Sequence, residues 1–397
     1  METEPPFHPS DQRAVDLRRR VHAHPELSSQ EHETARVLEE FLVTHRPTSI
    51  ATGVGGTGLV ATYDSGVPGP TVMVRAELDA LPITERSGVM HASNSPGVMH
   101  ACGHDGHLAT VAALAHRLER RPPERGRVCL LFQPAEETGA GAQAMLDDPR
   151  WGDAGAGLPE PDVCLAYHNL PGEPMGRVVF ASPIFSCAST GLSFDLVGLT
   201  GHCCSPGYAR NPLHALAPIL DDLLELPLGL DPDGTPEVVL THLRSGEDHI
   251  YGTSPDGARL NMTLRAVTDG ALRELLERAV ALVTTHAEAE GLQVSHSLHD
   301  TFRASRTDPA VIPVVRAAAE ALGMAHETRD APFRWSEDFG RFTERCPGLL
   351  LGIGSGADRP PLHHPTFDFP DALIPVASDL LERAARGLLA SDQLGTG

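Results

Sequence analysis

The sequence predicts an α/β fold in which helices flank a largely parallel sheet. Four short apolar runs have the composition of strands buried on both faces, at residues 71–76, 128–132, 163–167 and 348–353. A segment of helical period begins at Leu108, between the first two runs. A strand-helix-strand order of this kind is typical of parallel strands, and it therefore predicts the sheet and its first helix.

Two more helices are predicted at the ends of this α/β domain. Residues 28–31 (SSQE) match a capping box ahead of an amphipathic stretch, and a second amphipathic stretch lies near the C-terminus. The two apolar faces consist of Val37, Leu38, Phe41 and Leu42, and of Leu373, Val376, Leu380 and Ala384.

The pattern changes at about residue 191. Half-exposed strands are predicted at 193–199, 238–246 and 258–267, and helices at 211–226 and 270–288. This order predicts a smaller α+β domain with an antiparallel sheet.

The length of 397 residues favours two domains over a single core. We predict a catalytic domain in two parts, 1–190 and 301–397, interrupted at 191–300 by a lid or dimerisation domain.

Charge and composition exclude several classes of partner. The net charge of -22 would repel a phosphate backbone, so nucleic acid is not an expected partner. No apolar run reaches the roughly 18 to 20 residues of a membrane span, so no membrane association is expected. The first residues lack the pattern of a secretory signal, and the seven scattered cysteines fit a reducing compartment, which together predict the cytoplasm.

Polar residues follow each of the four buried strands. In open α/β sheets ligands bind beyond the carboxyl ends of the strands, so these residues are expected to meet. A further cluster, residues 100–107 (HACGHDGH), precedes the helix that begins near Leu108. The candidates are Glu77 and Asp79, Glu136 and Glu137, His168, His363 and His364, with Cys102 and His104 from the cluster.

Cysteine, histidine and carboxylate side chains are the ligands of borderline divalent metals, and five of them suffice for two ions. Two ions could hold and acidify a water, while one of Glu136 and Glu137 binds metal and the other acts as general base. Asp79 is a candidate to orient a ligand. Each of these residues, considered alone, is also compatible with a purely structural role. Cys102 and His104 could likewise form a closed structural zinc site.

The chain resembles the di-metal amidohydrolases related to aminoacylase and carboxypeptidase G, in the branch of hippurate and indole-acetyl-amino-acid hydrolases. The resemblance spans nearly the whole chain, and its motifs occur in the family's order. They are RRRVHAHPELS, RAELDALPI, MHACGHDGH, FQPAEET, AYHNLP, GLTGHCCSP, EDFGRF and LHHPTFDF.

The resemblance implies a role for each matching residue. Two divalent ions, zinc, manganese, cobalt or nickel, would be held by Cys102, His104, Glu137, His168 and His363, with Glu136 as general base. It also implies that the chain forms a homodimer or a dimer-based oligomer through the lid domain, in which His202 donates to the oxyanion in the partner's active site. Arg265 would pair with a substrate carboxylate.

The sequence departs from the family's pattern at four places. The departures are Glu77 where the family has Asp, Cys203 and Cys204 beside His202, His364 beside His363, and the segment 252–255 (GTSP) in place of one with Asn. They concern the substrate pocket and the choice between His363 and His364 as ligand.

The predicted function is metal-dependent hydrolysis of the amide bond of an N-acyl amino acid, such as an N-acetyl or N-benzoyl compound, by a metal-bridged hydroxide. The alternatives are a dipeptidase or carboxypeptidase that uses the same site, and a non-catalytic metal-binding protein.

Overall fold

The structure is a computed structural model that describes residues 8–152, 157–230 and 236–391. Residues 1–7, part of the segment in which no secretory signal is predicted, lie outside the described residues. Within the described ranges, no helix has both the length and the apolar character of a bilayer span.

The chain forms two compact units. The larger unit comprises Met1–Phe185, Ser305–Pro332 and Asp338–Gly397, and the smaller unit comprises Ser186–Ala304 and Phe333–Glu337.

The described helices and strands alternate along most of the chain. The helices are α1 (Pro9–Ala23), α2 (His32–Val43), α3 (His104–Arg120), α4 (Gly141–Leu146), α5 (Pro212–Glu225), α6 (Asp269–Ala289), α7 (Val311–Ala321), α8 (Gly340–Arg345) and α9 (Leu373–Ala390). The strands are β1 (Ser49–Val54), β2 (Gly58–Asp64), β3 (Thr71–Glu77), β4 (Arg127–Gln133), β5 (Val163–Pro171), β6 (Val178–Ala181), β7 (Ile184–Ser186), β8 (Ala188–Val197), β9 (Glu237–Ser245), β10 (Gly257–Ala266), β11 (Gln293–Phe302), β12 (Ser305–Arg306), β13 (His326–Arg329) and β14 (Gly348–Gly356).

The larger unit is built on an eight-stranded sheet in the order β1-β2-β4-β3-β5-β14-β6-β13. Strands β4, β3, β5 and β14 run parallel to one another, which confirms the predicted α/β class and its largely parallel sheet. Every residue of β3 is buried, so both faces of the strand are covered. Helix α3 packs against α1 and α9 and covers β3.

Some elements of this sheet were not predicted. Strands β1 and β2 form an antiparallel hairpin at one edge, and β6 and β13 form a parallel pair at the other. Strand β1 is largely exposed, and edge strands of this kind lack the continuous apolar run of a central strand.

The predicted capping box is wrong. Helix α2 begins at His32, and the side chain of its N-cap residue Glu31 forms no capping hydrogen bond. The Glu26 carboxylate caps the first turn by accepting from Glu33 N at 3.1 Å and Thr34 N at 2.8 Å. Instead, the Glu31 carboxylate accepts hydrogen bonds from Ala135 N at 2.9 Å and Thr57 Oγ1 at 2.7 Å, and Ser28 Oγ donates to Asp79. Ser28 and Glu31 therefore form hydrogen bonds to residues that are distant in the sequence, rather than a capping box.

The smaller unit contains a four-stranded antiparallel sheet in the order β11-β8-β10-β9, together with α5 and α6. Burial along β10 alternates, as expected for a sheet with one covered face. Asn211 caps α5 by accepting from Leu213 N, and Thr268 caps α6 by accepting from Ala271 N. The predicted antiparallel sheet is confirmed.

Candidate metal centre

The five predicted ligands all lie in the larger unit, near the carboxyl ends of its parallel strands. His168 lies in β5, Glu137 follows β4, and His363 lies in the loop after β14. His104 is the first residue of α3, and Cys102 lies two positions before it. The parallel arrangement brings these chain segments to one edge of the sheet.

The five side chains are close to one another. Cys102 Sγ is 3.4 Å from His168 Nε2, and Glu137 Oε1 is 3.6 Å from His363 Nε2 and 3.9 Å from His104 Nε2. In each of two groups, three potential ligand atoms lie within 4.8 Å of one another. The first group comprises Cys102, His104 and His168, and the second comprises Cys102, Glu137 and His363. The geometry thus provides a mixed sulfur, nitrogen and oxygen donor set.

The burial of Glu137 and Cys102 indicates whether divalent cations fit this cluster. Among the described residues, Glu137 Oε1 is buried and has no hydrogen-bond partner. Burial raises the pKa of the Glu137 carboxyl to about 7 and that of the Cys102 thiol well above its usual range. A divalent cation would stabilise the carboxylate and thiolate forms that burial disfavours, so these residues fit a metal ion.

The structure distinguishes between His363 and His364. His363 faces Glu137, whereas His364 Nδ1 is 2.8 Å from Thr366 Oγ1 outside the cluster. His363 adopts a left-handed φ of 62°, and its amide donates to Ala101 O at 2.8 Å, which fixes the loop against the segment before Cys102. The geometry therefore favours His363 as the donor.

Asp79 lies directly behind the cluster. Its Oδ1 is 3.2 Å from His104 Nδ1, and its Oδ2 accepts from Glu137 N at 3.0 Å and from Ser28 Oγ at 2.7 Å. Burial opposes ionisation of Asp79, but these hydrogen bonds outweigh it and hold its pKa below the usual value. With the His104 proton on Nδ1, the Nε2 lone pair is directed to the cluster, as in carboxylate-histidine-metal arrangements.

Glu136, the predicted general base, lies at the edge of the cluster. Its Oε2 is 3.6 Å from His104 Nε2, and its side chain is 5% exposed. Ala135, which precedes it, has a left-handed φ of 51°, and this kink turns the chain after β4. Glu136 and Glu137 are thereby both brought to the cluster.

A buried charge network beneath the cluster was not predicted. Arg75 donates to Glu77 and, at 2.6 Å, to Asp338 Oδ1. Glu77 Oε2 is 2.7 Å from His107 Nδ1, and His107 Nε2 is 2.7 Å from Asn169 Oδ1. The available signal was the presence of charged residues within the apolar run that forms β3. Here Glu77, which is longer than the family's Asp, contacts both Arg75 and His107.

His202 and Arg265 belong to the smaller unit. His202 is exposed, and its Nδ1 accepts from Cys204 N at 3.1 Å. Arg265 donates to Ser336 Oγ at 2.6 Å. The Cys203 thiol is exposed and donates to Tyr251 O at 3.2 Å. The smaller unit's own contacts thus leave the His202 ring accessible.

A family model described as peptidase family M20/M25/M40 matches residues 73–387. The chain belongs to this family. This match confirms the family that the sequence motifs indicated. It also confirms the prediction that the protein is a hydrolase.

Relatives and solved structures resemble the chain over most of its length. It is 28% identical over 388 residues to an N-acetyl-L-cysteine deacetylase of Bacillus subtilis strain 168, covering 96% of this chain and 90% of the relative. It is 29% identical over 393 residues to an IAA-amino acid hydrolase of Arabidopsis thaliana, covering 95% and 87%.

Among solved structures, a dinuclear metal binding peptidase of the M20 family from Bacillus subtilis is similar with a TM-score of 0.80 and 26% identity. The match covers 96% of this chain and 99% of that chain. The M20/M25/M40 chain therefore shares the architecture of a dinuclear enzyme.

Proposed function

We propose that the protein hydrolyses the amide bond between an acyl group and an amino acid. One observation carries the proposal: the buried Glu136 carboxylate lies 3.6 Å from His104 Nε2, beside a cluster of five potential metal ligands. Relatives named as a deacetylase of N-acetyl-L-cysteine and a hydrolase of IAA-amino acids support this substrate class.

Cys102, His104, Glu137, His168 and His363 would hold two divalent ions, with zinc, manganese, cobalt and nickel all compatible with the donor set. When bound, these ions would polarise the amide carbonyl and lower the pKa of a water molecule. Asp79 holds the His104 ring in orientation and accepts from the backbone of Glu137.

Glu136 would move the proton in this reaction. Its carboxylate takes a proton from the attacking water and passes it to the leaving nitrogen, so that one amide and one water yield a carboxylic acid and an amine. Within the smaller unit, the Arg265 guanidinium would bind the substrate carboxylate. This contact would replace the hydrogen bond that Arg265 donates to Ser336 Oγ.

We propose in addition that the protein is a homodimer in which His202 of the partner subunit donates to the oxyanion. The smaller unit exposes several large apolar side chains, as a protein interface would require. They include Leu199, Tyr208, Leu213, Leu243, Tyr251 and Leu298. We place this dimer in the cytoplasm, where Cys102 and the exposed thiols Cys203 and Cys204 would stay reduced.

The test combines a substrate panel with one variant. Purified protein loaded with each of the four metals is assayed on N-acetyl, N-benzoyl and indole-acetyl amino acids and on dipeptides. Glu136→Gln should retain its metal content and lose at least about 100-fold in kcat. Glu39→Gln, on the exposed face of α2, is the matched control and should keep full activity.

The outcome separates the rival functions. Faster turnover of dipeptides than of every N-acyl amino acid would establish a dipeptidase instead. Near-normal activity of Glu136→Gln would overturn the mechanism. A single tightly held ion, unaffected by Cys102→Ser, with no turnover of any substrate would indicate a non-catalytic protein.

A further inference from the structure

A second cluster of potential ligands lies at the far end of α3. His116 and Glu119 are three residues apart, so they share one face of the helix. His45 lies just beyond the end of α2, and potential ligand atoms of these three residues lie within 4.8 Å of one another. His116 is about 18 Å along the helix axis from His104, at a rise of about 1.5 Å per residue.

The chain holds His45 in place. Its amide donates to Leu42 O at 2.9 Å, and its carbonyl accepts from Tyr63 Oη at 3.3 Å. The ring is 2% exposed and lies edge-on to Phe41 at 4.9 Å and to His116 at 5.5 Å between ring centroids. A ring fixed by backbone and packing contacts is pre-positioned for a ligand.

One nitrogen of this ring is left unsatisfied. His45 Nδ1 is 3.2 Å from Glu119 Oε2, so the carboxylate accepts the proton on that nitrogen. Nε2 is buried, and within the part of the chain that the structure describes it has no hydrogen-bond partner. A buried polar atom without a partner is destabilising, and a ligand at Nε2 would remove this cost.

We propose that His45, His116 and Glu119 form a binding site for one divalent transition-metal ion of the zinc, nickel or cobalt class. Imidazole nitrogens are favourable ligands for these ions, so His45 Nε2 and the His116 ring would bind the ion directly. Glu119 would support the site from the distal nitrogen of His45, where a carboxylate is a recurrent feature of metal sites. The ion links the end of α2 to the last turns of α3. This site lacks a thiol, unlike the cluster that contains Cys102.

The surrounding charges affect the affinity of this site in a specific way. Arg46 Nε is 3.8 Å from Glu119 Oε1, and the Arg46 side chain is 87% exposed. Its guanidinium draws on the same carboxylate that supports His45 and places a positive charge near the site, which disfavours a bound cation. Arg117 is instead paired with Asp379 at 2.6 Å. Removal of the Arg46 charge should therefore strengthen metal binding.

The experiment measures metal binding by the full-length protein with zinc and cobalt ions as probes. Equilibrium dialysis against zinc, followed by elemental analysis, should give one ion more per chain for the wild type than for His116→Gln or Glu119→Gln. Both substitutions lie on partly exposed positions of α3, so the fold is retained. Arg120→Gln, on the same helical turn, is the matched control and should bind as many ions as the wild type.

Two further measurements complete the test. Cobalt bound at this site should absorb visible light without the thiolate-to-metal band expected of the Cys102 cluster. His116→Gln should remove the absorption of this site and leave the thiolate-to-metal band unchanged. Arg46→Gln should bind the additional ion severalfold more tightly. Equal zinc stoichiometry in the wild type, His116→Gln and Glu119→Gln would overturn the proposal, as would equal loss in Arg120→Gln.

Discussion

Arg18 and Asp105 form a fully buried ion pair in which Arg18 Nε donates to Asp105 Oδ2 at 2.7 Å. Arg18 Nη1 also donates to Asp371 Oδ1 at 2.7 Å. Asp105 follows His104, and Asp371 belongs to the segment that follows His363. One guanidinium from α1 therefore connects two chain segments that carry candidate ligands.

Replacement of this guanidinium should destabilise the protein strongly. Arg18→Met leaves buried carboxylates without a partner, and loss of one member of a buried ion pair costs about 3 to 5 kcal/mol. The free energy of unfolding is measured by urea titration. Arg19→Met, on a side chain 42% exposed, is the control and should cost about 1 kcal/mol or less. Equal effects of the two substitutions would contradict a special role for Arg18.

His22 should make stability fall in alkaline solution. Burial lowers the pKa of His22, but Asp105 and Glu85 outweigh this effect and raise it from 6.5 to about 9. The protonated ring thus stabilises the folded state fully below about pH 6.5, and this stabilisation is lost as the pH rises through about 9, by up to about 3 kcal/mol.

The measurement is the free energy of unfolding of wild type and His22→Gln between pH 6 and pH 9.5. The difference between the two proteins should shrink as the pH rises. A constant difference across this range would show that His22 does not titrate between the folded and unfolded states.

Asp79 should affect metal affinity without contributing a metal ligand. Asp79→Asn weakens the hold on the His104 ring and on the backbone of Glu137, and such supporting carboxylates typically contribute about 10- to 100-fold in affinity. Competition with a chromophoric chelator measures the effect. Ser28→Ala, which removes only one hydrogen bond to the same carboxylate, should lose much less. Unchanged affinity in Asp79→Asn would refute this supporting role.

Adjacent histidines should differ sharply in metal binding. His363→Asn should lose one ion per chain in elemental analysis, because its ring faces Glu137. His364→Asn should keep the full complement, since its ring contacts Thr366. The reverse result would assign the ligand to His364.

The proposed role of His202 in trans predicts complementation between two inactive variants. Glu136→Gln and His202→Ala homodimers should each have little activity. Mixed after dissociation and reassembly, they should recover about a quarter of wild-type activity, because about half of the dimers are mixed and each has one complete site. Action in cis would leave every site incomplete, and the mixture would stay inactive.

Much of the fold could be predicted because its signals are local. The continuous apolar runs of β3, β4, β5 and β14 reflect burial on both faces, and the alternation along β10 reflects burial on one. Polar residues at the ends of parallel strands meet wherever such a sheet forms, which is why the predicted ligands could be grouped before any contact was known.

By itself the sequence determined the fold class, the smaller antiparallel sheet and the group of candidate ligands. Only the tertiary structure decided that Ser28 binds Asp79 rather than capping α2, that His363 faces Glu137, and that Arg18 joins distant segments. The physical reason is that periodicity records whether a residue is buried, whereas the partner of a buried polar atom is set by three-dimensional proximity. His45 and Glu119, 74 positions apart, illustrate the same limit.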